Sequence, residues 1–343
     1  MHSDWQQFLD ARGASTNDGA VSNFGQPAAE LQAAADGNIL TDLSHLGLLQ
    51  VGGEDAVSFL QGQLTNDVKL LDGSNSQYAG YCTAKGRLLA VFLAFAHHDH
   101  LHLQLDGTLN APMLKRLRMY LLRSKVTIDD VSDSIIRIGV AGSNTTAALQ
   151  ALFGSVPHAP HQLLNLETAN LVRLPGPAPR YELFTTPQQA PEIWSALEKS
   201  CTTVGKPCWD WLDIRAGIPQ VTPATQEEFV PQMLNLDLLD GINFKKGCYT
   251  GQEIVARTHY LGKVKRRTHL AHVEVGEAPQ PGEKVYGTDS AEPVGLVIGA
   301  APSPAGSYDL LAEIRLENVE AGEIRLGGKD GPVLELLALP YTL

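Results

Sequence analysis

The chain has no stretch approaching the ~18 apolar residues that a membrane span needs. Its longest apolar run, Leu88 to Ala96, has the length of a buried strand. Positive charge is also in short supply: 26 Lys and Arg stand against 38 Asp and Glu, for a formal net charge of −12. So acidic a surface repels phosphate backbones, which disfavours nonspecific nucleic-acid binding and leaves RNA only a local basic patch. Cysteine is scarce, with Cys82, Cys201, Cys208 and Cys248 scattered and no CxxC pair among them. That fits free thiols in a reducing compartment better than a disulfide framework. The first twenty residues hold acidic side chains, one Arg and no apolar h-region, so neither a secretory leader nor a transit peptide is expected and the cytoplasm is the expected address. Internal repeats and long low-complexity linkers are absent as well.

What is present is a globular balance, 43% apolar and 19% charged. With 343 residues, the chain is too long for one ordinary core, and two or three domains are expected. Residues 1–38 read as a peripheral arm with one helical stretch near Glu30. Residues 39–130 read as an α+β domain: a strand from Leu46, a helix from Asp55, and a β-meander in which Ala84-Lys85-Gly86-Arg87 links two strands as a hairpin. Leu101 to Leu105 alternates apolar and polar residues, as a half-buried strand does. Residues 131–262 read as a second α+β domain that packs with the first, either contiguous or discontinuous in sequence, with a helix from Cys208 to Ala216 that stops at Gly217. From 263 to 343, short β-like runs alternate with Gly/Pro turns, the texture of a small β-barrel set apart from the body.

The densest segment is Asn235 to Glu253, NLDLLDGINFKKGCYTGQE. Gly241, Gly247 and Gly251 let its backbone turn sharply or approach a ligand. Cys248 follows Lys245 and Lys246 and precedes a helix start at Gln252-Glu253. A thiol so placed should have an enhanced thiolate fraction. It is either a reactive or ligand-contacting cysteine or a small apolar thiol in a tight loop.

The string KGCYTGQE (246–253) closely resembles the signature of the YgfZ family of folate-binding proteins, and the resemblance continues through IVARTHYLGKVKRR (254–267). It extends to FLQGQLTND (59–67), TAKGR (83–87), IRAGIP (214–219), and Phe229 to Gln232 with Asn235-Leu236. It implies a multi-domain α+β fold like that of the glycine cleavage T-protein, with a central folate channel and a small C-terminal β-barrel. It implies tetrahydrofolate as bound ligand, with Trp209, Leu46, Lys246, Tyr249, Gln252, Glu253 and Asn235 at the folate site and Cys248 as the reactive group. It also implies an accessory role in assembling or repairing iron–sulfur clusters in target enzymes, including tRNA-thiomethylating ones. Those enzymes are the expected protein partners, in preference to direct tRNA contact; mitochondrial iron–sulfur assembly relatives share the segment.

The alternative is a folate-dependent one-carbon (aminomethyl-type) transferase or demethylase. Against it, Ala90 and Val91 stand where the T-protein has an acidic pair, and Arg215 where it has a carboxylate. Aminomethyl transfer then lacks its proton-handling groups. Trp209 offers an aromatic face for a pterin, whereas Trp211 reads as a core aromatic. Leu46 falls where the family can place another aromatic, which weakens one stacking wall. His97 to His102 puts His100 and His102 on one strand face but supplies no third ligand, so it reads as a hairpin tip and no metal is expected. Lys263-Val-Lys-Arg-Arg267 is the one compact basic run; it could dock a nucleic acid or protein, but reads as an exposed strand face. Gly139 to Gly142 lacks the third glycine of a dinucleotide fingerprint and reads as a βα turn.

Overall fold

The protein is described from a computed structural model, over residues 1–288 and 292–343. In chain order its elements are α1 (Ser3–Asp10), β1 (Ser15–Asn17), β2 (Ala20–Asn23), α2 (Pro27–Asp36), β3 (Asn38–Asp42), β4 (Leu46–Gly52), α3 (Ala56–Gln61), β5 (Ser76–Cys82), β6 (Leu88–His97) and β7 (His100–Asp106). Then come α4 (Asn110–Met119), β8 (Thr127–Asp130), β9 (Ile136–Gly142), α5 (Thr145–Phe153), β10 (Leu163–Asn165), β11 (Ala169–Leu174), β12 (Arg180–Thr185), α6 (Ala190–Leu197), β13 (Thr202–Val204) and α7 (Lys206–Arg215). The last are α8 (Gln252–Tyr260), β14 (Arg266–Val273), β15 (Lys284–Gly287), β16 (Gly295–Pro302), β17 (Tyr308–Arg315), α9 (Leu316–Ala321), β18 (Ile324–Leu326) and β19 (Val333–Leu337). They gather into two compact units, each discontinuous in sequence.

The first unit comprises Met1–Ala56, Leu71–Ser76 and Ala94–Leu212. It is built on a sheet in the order β10-β11-β12-β9-β3-β13, antiparallel except for the β3–β13 pair. Its core includes Leu40, Ile138, Val140, Leu171, Leu183 and Trp194. The stretch expected as a peripheral arm joins that core, because Trp5 and Leu9, one helical turn apart on α1, are both buried in it. Helix α2 begins at Pro27, and the buried Glu30 carboxylate reaches back to the amides of Phe24 (2.7 Å) and Gln26 (3.1 Å). Donors that an uncapped helix start leaves orphaned are thereby satisfied. In the same unit β4 pairs with β7 and β8. The histidine run expected at a hairpin tip lies at the β6–β7 turn, where His98 adopts φ 50°. His102, beyond the turn, stacks on Phe95 at 5.0 Å, and burial pulls its pKa to about 4.

The second unit comprises Val57–Leu70, Gln77–Leu93 and Asp213–Leu343. Its C-terminal part is a closed barrel in the strand order β14-β17-β16-β15-β18-β19. Alternate residues of the strands (Ala271, Val273, Val285, Val297, Leu310, Ala312, Ile314) fill the barrel interior. The change of texture beyond residue 263 thus marks a true barrel. It is not set apart, however: it forms one compact unit with residues 57–70, 77–93 and 213–262.

Candidate functional site

In the second unit the KGCYTGQE segment ends an irregular loop running from 241 into α8. The loop is tied down by the segment after α3. Thr65 Oγ1 donates to the Gly241 carbonyl (2.6 Å), Asn66 Nδ2 donates to the carbonyls of Asp240 (2.6 Å) and Tyr78 (2.9 Å), and the Asn243 amide donates to Thr65 O (3.0 Å). Lys246 completes the clamp. Its ammonium donates to the carbonyls of Gln61 (2.9 Å), Leu64 (2.6 Å) and Asn66 (2.7 Å), and it lies 5.1 Å from the centre of the Tyr249 ring. Burial lowers its pKa to about 8, with Asp67 opposing the shift. It therefore remains an ammonium at neutral pH, as three donated hydrogen bonds require.

Lys246, expected as a channel wall, thus turns all three of its donors inward. Tyr249 is buried too, and burial, followed by the nearby Cys82, raises its phenol pKa. Between these two anchors the chain turns Gly247 and Cys248 outward, so the thiol is exposed. Helix α8 then starts at Gln252, with Glu253 exposed in its first turn. At its start Gly251 has φ +85°. A Cβ there would collide with the Thr83 carbonyl oxygen and stand 2.9 Å from Gly86 Cα. The TAKGR hairpin turn is packed directly against the helix start, and only glycine fits that approach.

Asn235, also expected at the ligand, is fully buried and occupied elsewhere. Its Nδ2 donates to Thr268 O (2.9 Å) and Tyr341 Oη (3.3 Å), while its Oδ1 accepts from the Thr268 amide (3.3 Å). It fastens the loop's origin to β14. Ala90 is buried within β6, and Arg215 faces Asp309 at 3.7 Å.

Trp209 and Leu46 belong to the first unit. Trp209, on α7, is 1% exposed, whereas Trp211, expected as the core aromatic, is only half-buried. The Arg180 guanidinium lies 4.6 Å over the Trp209 ring and donates to Leu212 O (3.1 Å), while the ring edge lies against Gly139. Leu46 opens β4 as a buried apolar residue whose carbonyl accepts from Arg137 (2.8 Å).

From Trp209 a row of buried polar groups continues. Two residues along β12 from Arg180 stands Glu182, 2% exposed, which accepts from Gln104 Nε2 (2.7 Å). In this row the Trp209 Nε1–H donor and the Gln104 Oε1 acceptor have no hydrogen-bond partner among the described residues. Buried polar atoms are nearly always paired, so these two are candidates for contact with the polar edge of a ligand. Arg180, Glu182 and Gln104 belong to no motif of the sequence. The available signal was charge or amide inside a strand, in RYELF and LHLQL.

Residues 17–243 match the GCVT N-terminal domain family. Proteins named tRNA-modifying protein YgfZ are similar along nearly the whole chain. That of Sodalis glossinidius is 33% identical over 89% of this chain and 93% of its own length. Those of Serratia proteamaculans (33%; 89% and 92%) and Yersinia pestis (31%; 92% and 97%) are similar to the same degree. The glycine cleavage system aminomethyltransferase T of Bartonella henselae superposes with a TM-score of 0.77 at 14% identity, covering 99% of this chain and 97% of that one; the likeness is one of fold. By sequence along its length and by domain match, this chain belongs to the YgfZ family of GCVT-domain proteins.

Proposed function

We propose that this chain binds tetrahydrofolate at the buried polar row of its first unit and works as an accessory protein in tRNA modification. It would do so by supporting assembly or repair of iron–sulfur clusters in the modifying enzymes. The observation that carries the ligand is the pair of orphaned atoms, Trp209 Nε1–H and Gln104 Oε1, on either side of Arg180 and Glu182. A pterin is a flat heterocycle whose edge alternates donors and acceptors. The Glu182 carboxylate accepts from neighbouring N–H groups, Trp209 donates, and Gln104 accepts; the residues present fit the group. Bound tetrahydrofolate supplies a carrier for one-carbon units. The tRNA connection is supported by the name carried by the YgfZ relatives. The reactive group is Cys248, an exposed thiol that its buried neighbours Lys246 and Tyr249 hold at a fixed place.

The test is a titration of the full chain with tetrahydrofolate, followed by tryptophan fluorescence and calorimetry. Saturable quenching is expected, largely lost in Trp209→Phe, with affinity lowered about 10-fold in Gln104→Ala and in Glu182→Gln, roughly the worth of one hydrogen bond to a charged or buried partner. Absence of binding by both methods overturns the folate assignment. Loss of thiomethylated tRNA nucleosides in cells carrying Cys248→Ser is the expected cellular counterpart.

A further inference from the structure

At the outer end of α8 three rings meet, His259 and Tyr260 exposed and Phe244, from the preceding loop, half-buried. Phe244 and His259 stack with centroids 3.8 Å apart and planes 14° apart, and Tyr260 stands edge-on to His259 at 4.7 Å and 82°. Tyr260 is 64% exposed and the following Leu261 85%. Exposed aromatic and apolar groups gathered at one place mark an interaction surface.

Three residues beyond Tyr260 the basic run begins, and it does not lie flat as an ordinary strand face. Lys263, Lys265, Arg266 and Arg315 line one side of a cleft of about 490 Å³ that also takes in Thr258 of α8, with Glu317 the one carboxylate in its wall. Arg266 is held by Glu313, its Nη1 donating to both carboxylate oxygens (2.7 Å to Oε2 and 2.9 Å to Oε1). Lys263, Lys265 and Arg315 are exposed, and among the described residues no ion pair engages them. Arg267, by contrast, is turned away onto Asp237 (2.5 and 2.9 Å). Three exposed cations without an ion pair among the described residues thus share one cleft with Glu317, Arg315 also acting on the nearby Glu313 carboxylate, in a chain of net charge −12.

We propose that this surface binds a single-stranded nucleic-acid segment, with bases stacking on Tyr260 and the Phe244–His259 pair and phosphates lying along Lys263, Lys265 and Arg315. An acidic peptide would answer the cations but gives the ring faces no planar partner, whereas every base has a π-face. A-form duplex hides those faces, so the occupant is a loop or an unpaired end. That the strand is RNA rests on the tRNA-modification reading above; the surface itself does not.

The test is fluorescence anisotropy of the full chain with a labelled RNA stem-loop, a DNA stem-loop of the same sequence and a blunt RNA duplex. The stem-loops are expected to bind better than the duplex, with a log–log salt slope of about −2, as three phosphate contacts to a single strand give. Tyr260→Ala is expected to weaken binding about 5-fold or more, Tyr260→Trp to retain it, and Lys263→Glu with Lys265→Glu to abolish it. Preference for the RNA loop identifies tRNA-like loops as the source; equal affinity for DNA identifies the site with strand chemistry common to both. Absence of binding at low salt, an unaffected Tyr260→Ala, or competition by polyglutamate as effective as by the stem-loop overturns the proposal, the last assigning the cleft to an acidic protein. None of these variants touches Trp209, Gln104 or Glu182, so folate quenching separates a failure here from a failure of the folate reading.

Discussion

Lys246 shows how one residue can look like a ligand contact and act as a fastening. Its charge sits where water is scarce, and three carbonyls from residues 61, 64 and 66 replace the lost hydration. Lys246→Met removes all three bonds and leaves buried acceptors behind. The expected loss is about 3 kcal/mol of stability in urea unfolding, since removing one hydrogen-bonded buried charge has effects of that order. An unchanged midpoint would return Lys246 to the ligand. His272, on β14, is a second residue with a measurable consequence. Burial acts to lower its pKa, but hydrogen bonds to Asp309 (2.8 Å) and Glu274 (3.2 Å) outweigh burial and raise it, despite Arg215 on the far side of Asp309. A raised folded-state pKa means that the charged form is favoured in the native protein. This stabilisation is complete below the ordinary His value near 6.5 and is lost as pH climbs through the folded value. Thermal midpoints should therefore fall between pH 6 and 8 in the wild type, and fall less steeply in His272→Gln; parallel profiles would remove the pair from the account.

At the scale of elements, the sequence was most legible where periodicity and punctuation agree. The helix expected from Cys208 to Ala216, with its stop at Gly217, is α7 (Lys206–Arg215), and Gly217 adopts φ +66°. The hairpin around Ala84–Arg87 also appears, with Gly86 at φ +69°. What the strings TAKGR and KGCYTGQE do not reveal is that they meet. A Cβ on Gly86 would stand 2.9 Å from Ile254 Cβ, and one on Gly251 would enter the Thr83 carbonyl. Gly251→Ala should then cost about 3 kcal/mol or more, from left-handed strain and backbone collision together. Gly247→Ala meets no atom within 4 Å and should stay within about 0.5 kcal/mol. Equal effects at the two glycines, read from thermal unfolding, would mean that the hairpin–helix contact is not what fixes the loop. The alternation in β7 was misleading for a physical reason. Leu103 and Gln104 are both buried, because the polar face of that strand meets Glu182 and not solvent. Alternation reports two different faces; it does not report that one of them is wet.

On the scale of the whole molecule, composition indicated a multi-domain α+β chain and texture indicated the barrel, but neither could show that both compact units are assembled from three separated segments. Segment exchange of that kind is carried by single side chains whose partners lie far away in sequence. In the second unit, Asn235 is satisfied by the main chain of Thr268, Asp237 by the fork of Arg267, and the Met233 carbonyl by the Thr268 hydroxyl (2.9 Å). Tyr341, almost at the C-terminus, donates to Gly217 O (2.8 Å), and its ring fills the space beside that glycine. The barrel therefore holds the stretch from which the Cys248 loop springs. A chain cut after residue 262 loses every one of these partners, leaving the buried Asn235 amide and the Asp237 carboxylate without hydrogen bonds, each a destabilisation of about 1–3 kcal/mol. Amide hydrogen exchange across residues 232–250 should accelerate strongly in the truncated chain. Protection equal to that of the full chain would show that the loop is held by residues 61–66 alone, with the barrel an appendage after all.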